Sequence, residues 1–242
     1  MRWLVLCSAL VGCGGAPPAA PLPPVMVWAW DRAEDLRFLG ERRDVGVAYL
    51  AATLHVGEHV RVQRRHGSLR VPPQTPLEPV VRVEVERDAP LDAPQRRAML
   101  EAIRAEAALA GQGRLQLDFE ATASQRAAYT QLLVALRAAL GPRYRISVTA
   151  LASWCLGDRW MASLPVDEVV PMFYRMGAEA RGLRDAFAAG EDLAPECRRA
   201  HGLITDEPAV GPPSPRRLYL FAPSPWRPAL LARELGALGG RS

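Results

Sequence analysis

Apolar residues fall along this chain in two kinds of pattern that alternate with one another. Short apolar runs, several nearly continuous, occur at Val25 to Trp30, Val45 to Leu54, Val80 to Glu86, Leu115 to Glu120, Ile146 to Leu151, Val169 to Tyr174, Gly202 to Asp206 and Leu218 to Phe221. Runs of this length bounded by turn residues predict strands covered on both faces, as in a parallel sheet. Helical spacing fills several of the intervals. Asp92-Ala93-Pro94 supplies a cap and an early proline, after which Met99, Ile103, Ala107 and Ala110 recur on one face before Gly111. Ser124 is placed to open a second helix whose face is Tyr129, Leu132, Leu133, Leu136 and Leu140, ending at Gly141-Pro142. Shorter patterns predict helices at Asp35 to Leu39, Asp158 to Leu164, Glu179 to Ala189 and Pro228 to Leu238.

Strands alternating with helices imply βαβ units, and eight of them imply closure. The predicted fold is therefore α/β, a small, irregular (β/α)8 TIM-like barrel in which some connections lack helices. The stretch from His55 to Pro79 reads as a hairpin around Val56-Gly57-Glu58-His59-Val60 followed by a proline-rich loop, and Glu207 to Pro215 is proline-rich as well. An open doubly wound sheet is the alternative. It lacks support because Trp30-Asp31, and not a glycine-rich phosphate loop, follows the first strand.

The composition, 49% hydrophobic over 242 residues, suits one sizeable domain over residues 25–242. The 30 basic residues are all Arg and are interspersed with the 26 acids, with no dense basic run interleaved with aromatics. That arrangement argues against a nucleic-acid surface, and the absence of Lys and Asn reads as a biased coding background. At the start, Arg2 precedes an apolar run from Trp3 to Val11, too short to span a bilayer but suited to a signal peptide over residues 1–12. Leu10-Val11-Gly12-Cys13 has the form of a bacterial lipobox, which predicts lipidation of Cys13, export, and anchoring in the cell envelope, periplasmic or on the outer face. An ordinary signal peptide cut nearby is the alternative. Residues 13–24, rich in Gly, Ala and Pro, read as an extended linker, so the membrane contact expected is through the lipid only. Cys155 and Cys197 then remain in the folded part. In an oxidising compartment they are expected to pair, with two separately buried thiols as the alternative.

Candidate chemistry follows from the barrel, because active residues of such folds stand at the carboxyl ends of the strands. Asp118 and Glu120 share one side of a predicted strand, about 7 Å apart along it. Like charges held so close would leave one acid protonated, as the general acid of glycosidic cleavage must be. The bland reading is a solvated pair, or one neutralised by Arg82 or Arg175 in the barrel mouth. Trp28, Trp30, Asp31, Glu84, Tyr174, Arg175 and Trp226 fall at other strand ends. Aromatic rings and carboxylates together suit a sugar. His55 and His59 flank Gly57 in the predicted hairpin and are not expected to bind metal, and no motif calls for a cofactor.

The segments Val25 to Leu39, Asp118-Phe119-Glu120, Thr149 to Cys155 and Leu164 to Gly177 together resemble a bacterial family of exported proteins built on a domain of unknown function. A more distant similarity is to chitinase-like TIM-barrel glycoside hydrolases, whose fourth strand ends Asp-x-Glu and whose sixth carries Met-x-Tyr. Asp118-Phe119-Glu120 and Met172-Phe173-Tyr174 match those endings, while Gly113 and Gln116 stand where further acids are usual and Arg175 follows the Tyr. This resemblance implies that Glu120 is the acid, Asp118 its orienting neighbour, Tyr174 a contact to a substrate acyl group, and Trp226 an aromatic floor. The expected activity is hydrolysis of an envelope or extracellular glycan. The alternative is a catalytically inactive barrel that binds a glycan or an envelope partner.

Overall fold

The structure, a computed structural model, describes residues 19–87, 89–156, 160–208 and 217–239. In chain order its first elements are β1 (Val25–Ala29), β2 (Glu34–Asp35), β3 (Val45–Val56), β4 (Val60–Arg64), β5 (Leu69–Arg70), β6 (Leu77–Val85) and α1 (Ala93–Ala110). There follow β7 (Arg114–Asp118), α2 (Arg126–Leu140), β8 (Arg145–Leu151), β9 (Glu168–Met172), α3 (Glu179–Ala188), β10 (Ala200–Ile204), β11 (Arg217–Phe221) and α4 (Pro228–Gly239). Strands β1, β3, β6, β7, β8, β9, β10 and β11 are parallel, each pairs with the next, and β1 pairs with both β3 and β11, so the sheet closes. These are the eight strands expected from the apolar runs, and the fold is a small, irregular (β/α)8 barrel. Strand β4 adds to β3 as an antiparallel hairpin, and β2 pairs with β5 in a separate two-residue ribbon.

Alternation along each strand divides the apolar residues between two cores. Val27, Val47, Val81, Leu117, Val148 and Leu220 face outward and pack with Met99 and Ile103 of α1 and Leu132, Leu133 and Leu136 of α2. Met26, Trp28, Ala48, Val80, Val170, Tyr219 and Phe221 face inward and fill the lumen, as expected of a barrel that is a packed core and not a pore. A one-residue bulge between Leu50 and Ala52 reverses the alternation in β3: Val47 belongs to the outer core before it, Leu54 and Val56 after it.

The outer layer is uneven. α1 follows β6, α2 follows β7, α3 follows β9 and α4 follows β11, while among the described residues the other connections hold no α-helix. Asp92 caps α1 by accepting from the Gln95 amide, and Gly111 ends it in the left-handed conformation at φ 63°. The cap before α2 lies at Thr122, not at Ser124. Thr122 and Gln125 form a reciprocal capping box that starts a 3-10 turn leading into the helix. The helices expected at Asp35 to Leu39 and Asp158 to Leu164 are single 3-10 turns, Arg37–Leu39 and Trp160–Ser163, and Asp158 itself lies outside the described residues. Segments this short cannot repay helix nucleation, and Gly40 at φ 57° turns the chain away after the first.

Where a helix is lacking after β8, a disulfide holds the layer. Cys155 and Cys197, both fully buried, are bonded with Cα atoms 5.9 Å apart and join the turn Ala152–Cys155 to the turn Pro195–Arg198. Residues 19–24 run beneath the amino-terminal end of the barrel without regular structure, and Arg217 donates to the carbonyls of Leu22 and Pro23 there. The predicted signal peptide, Cys13 and residues 13–18 of the linker lie outside the described residues. Among those described, no helix is long and apolar enough to cross a membrane.

Candidate active site

Asp118 is the last residue of β7, faces the lumen and is 4% exposed. Both of its oxygens are held: Oδ2 accepts from Arg82 Nη1 at 2.8 Å and Oδ1 from Thr149 Oγ1 at 2.7 Å. The strand register brings these three together. Arg82 on β6 lies opposite Asp118, and the β7–β8 pairing that sets Leu117 beside Val148 carries Thr149 to its other side. One layer down, Gln116 Nε2 donates to Ser147 Oγ at 2.9 Å. Of the two arginines able to neutralise the acids, Arg82 is thus the one that does.

The strand stops at Asp118, two residues short of the expected end. Phe119 turns into the outer core and meets the Tyr129 ring edge-on at 4.9 Å. Glu120 stands beyond it, exposed, with no hydrogen bond from the described residues. The two acids therefore do not form a symmetric pair. One is buried against a guanidinium, which offsets the like-charge repulsion that adjacency would create, and the other faces water.

A cleft of about 440 Å³ opens here, lined by Arg82, Glu84, Arg87, Asp118, Glu120 and Gln125 among others. Glu84 is half exposed and accepts from Arg82 Nε at 3.0 Å, with His55 Nδ1 3.3 Å from its other oxygen, so Arg82 spans two carboxylates. The same guanidinium lies 5.9 Å from the Trp30 ring centre. Tyr174 borders this group from β9's end. Burial first, then the charges of Asp118 and Glu120, push its phenol well above its ordinary value, so it stays a donor. Its hydroxyl rests 3.2 Å from Met172 Sδ, a weak acceptor.

The other expected sugar contacts are distributed differently. Trp28 is fully buried, stacked on Phe221 with ring centres 4.5 Å apart, and plugs the lumen below Trp30 and Tyr174, which remain partly exposed. Asp31 is committed to its own loop: Oδ1 accepts the amides of His66 at 2.8 Å and Gly67 at 2.9 Å. Slight burial works against ionisation there, but these amides and the His66 ring hold the carboxyl below its usual range. Arg175, in the left-handed conformation at φ 52°, binds Asp206 through Nη2 at 2.7 Å and Glu207 through its amide at 3.1 Å, away from Asp118. Trp226 is no floor for the cleft. It is 3% exposed in the outer core, donating Nε1 to the Trp28 carbonyl and its amide to Glu34 Oε2, both at 2.9 Å.

Two arginines that sequence reasoning passed over close the far side of the mouth. Arg32 donates to Glu34 and to the carbonyls of Ala222, Pro223 and Ser224, and Arg65 to those of Ala29, Trp30, Arg32 and Gly67. Arg87 and Gln125, the loop members of the cleft, also carry no sequence signal, since both lie past strand ends in segments without alternation. Among the described residues no cluster of three or more His, Cys, Asp or Glu could hold a metal ion.

The arrangement is a closed barrel with a polar cleft at the carboxyl ends of its fourth and neighbouring barrel strands. No family model matches the chain, and no curated protein does. Among solved structures it is similar to the chitinase domain of the spore coat protein CotE from Clostridium difficile, at 15% identity and a TM-score of 0.39. The match covers 69% of this chain and 54% of that one, so the chain spans about half the length of the structure it matches.

Proposed function

We propose that this chain is an exported lipoprotein, anchored through Cys13, that hydrolyses an envelope or extracellular glycan with Glu120 as general acid and base. The supporting observation is the position of Glu120: exposed, without a hydrogen-bond partner among the described residues, at the barrel mouth beside a fixed anion. Glycosidic cleavage needs a carboxyl that reaches the leaving oxygen and exchanges a proton with it. Asp118, locked by Arg82 and Thr149, is the orienting neighbour that offsets positive charge developing on the sugar. Tyr174 can turn its hydroxyl from Met172 to a substrate acyl oxygen, and the exposed part of Trp30 offers a ring to stack on a sugar face. The match of Asp118-Phe119-Glu120 and Met172-Phe173-Tyr174 to the strand endings of chitinase-like hydrolases points the same way.

A second reading, glycan binding without turnover, is favoured by the occupied oxygens of Asp118, which are not free to move with a reacting substrate. Glycan hydrolysis and glycan binding measured on the wild type and on Glu120→Gln separate the two. Turnover by the wild type that is lost in the variant supports the enzyme. Equal binding by both proteins with no turnover supports the binding module. Metabolic labelling with palmitate that disappears in Cys13→Ala tests the anchor.

A further inference from the structure

The opposite end of the lumen holds a second cavity of about 440 Å³ that the proposed reaction does not use. Its wall includes Glu78, Arg114, Arg145, Glu168, Arg199 and Arg217, with residues 19–22 along one side. The two glutamates are occupied with each other's neighbour. Tyr219 Oη lies 2.6 Å from Glu78 Oε2 and 2.8 Å from Glu168 Oε1, and Glu168 is also ion-paired with Arg217. A phenol has one proton to donate, so in this chain of three groups one acid must hold a proton of its own.

The cations are less well matched. Arg114 is 7% exposed, forms no ion pair among the described residues, and has as its one acceptor the carbonyl of Ala20. Burial pushes its guanidinium down, with the charge of Glu78 only partly opposing this. At the rim, Arg145 shares the carboxylate of Asp167 with Arg137, and among the described residues the Arg199 side chain reaches only the Asp167 carbonyl, at 3.3 Å. A buried guanidinium with no carboxylate in direct contact among the described residues is costly to maintain, and its planar fork fits a tetrahedral oxyanion.

We propose that this cavity binds a phosphate group, with Arg114 at its base and Arg145 and Arg199 at its rim. Residues 19–22, the described end of the segment leading to Cys13, form one wall, so an anchored chain would present this face toward phospholipid headgroups. The headgroup as source rests on the proposed lipidation, whereas the phosphate chemistry does not.

Calorimetric titration of the full chain at low salt with inorganic phosphate and with glycerophosphoglycerol, the deacylated headgroup of phosphatidylglycerol, tests it. Saturable binding of either probe is expected, weakened at least about tenfold by the exposed pair Arg145→Gln/Arg199→Gln and unchanged by Arg61→Gln on the hairpin. Preference for the diester identifies a lipid headgroup as the source, and preference for the inorganic ion identifies free phosphate. Arg114→Met, where circular dichroism shows it folded, should abolish binding. Absence of saturable heat with both probes, or equal affinity in the rim variant and the wild type, overturns the proposal.

Discussion

At the mouth of the barrel Asp118 commits both oxygens to Arg82 and Thr149 while Glu120 beside it faces water, whereas at the base the buried Glu78 and the partly buried Glu168 meet at one hydroxyl of Tyr219. Both ends set two acids among arginines inside one lumen. They differ in counter-charge and in access to water. At the base, burial and then the charge of Glu168 push the Glu78 carboxyl up to about 7, and burial pushes Glu168 upward as well. The acids pushed upward thus lie at the base, and the end proposed for catalysis is the mouth. A shifted carboxyl alone does not mark an active site, because a structural network inside a packed lumen shifts acids equally well.

The largest test of this contrast is Glu120→Gln. Loss of a general acid should lower glycan turnover by about 10²–10⁴-fold, while the urea midpoint stays near wild type because the side chain is exposed. Unchanged turnover would remove Glu120 from the chemistry. Next, Arg82→Met should cost about 3 kcal/mol in urea unfolding, the low end for breaking a buried pair, since Asp118 is 4% exposed but the Arg82 side chain is 30% exposed. Asp118→Asn added to that variant should recover much of the loss, and a wild-type midpoint for Arg82→Met alone would show that the ion pair does not hold the mouth.

At the base the sign is set by protons. An unfolded chain releases the Glu78 proton near 4.5 and the folded one holds it to about 7. Stability from that proton is therefore complete below 4.5 and lost as pH rises through about 7, with Glu168 acting in the same direction. Between pH 5 and 8 the fall should be on the order of 2 kcal/mol, and Glu78→Gln should flatten it. A wild-type curve that already matches the Gln variant would place the proton elsewhere. The smallest expected effect is that of Tyr219→Phe, about 1 kcal/mol, for removing the hydroxyl between Glu78 and Glu168. Thermal unfolding of the two proteins side by side measures it.

Much of the frame is readable from the chain itself. Each barrel strand is an apolar run dense enough to be buried on both faces, α1 announces itself by Asp92 and Gly111, and Cys155 and Cys197 are the cysteines left to pair. Local alternation fails where the backbone departs from regular pleating. The bulge after Leu50 inverts the facing of the rest of β3, and the end of β7 at Asp118 frees Glu120 from the strand. Trp226 follows the last strand and yet packs outside the barrel, because its indole and amide find buried acceptors on Trp28 and Glu34.

By itself, then, the sequence determined the alternating elements, the closure they imply and the side of β7 from which Asp118 leaves, since each depends on residues within a few positions of one another. Only the tertiary structure decided what each acid meets. Asp118 and Arg82 are 36 residues apart in sequence, and Glu78 and Tyr219 are 141 apart. Such neighbours are set by the register of a closed barrel, and burial and counter-charge, which govern what a carboxyl can do, are properties of that closed surface and not of any stretch of chain.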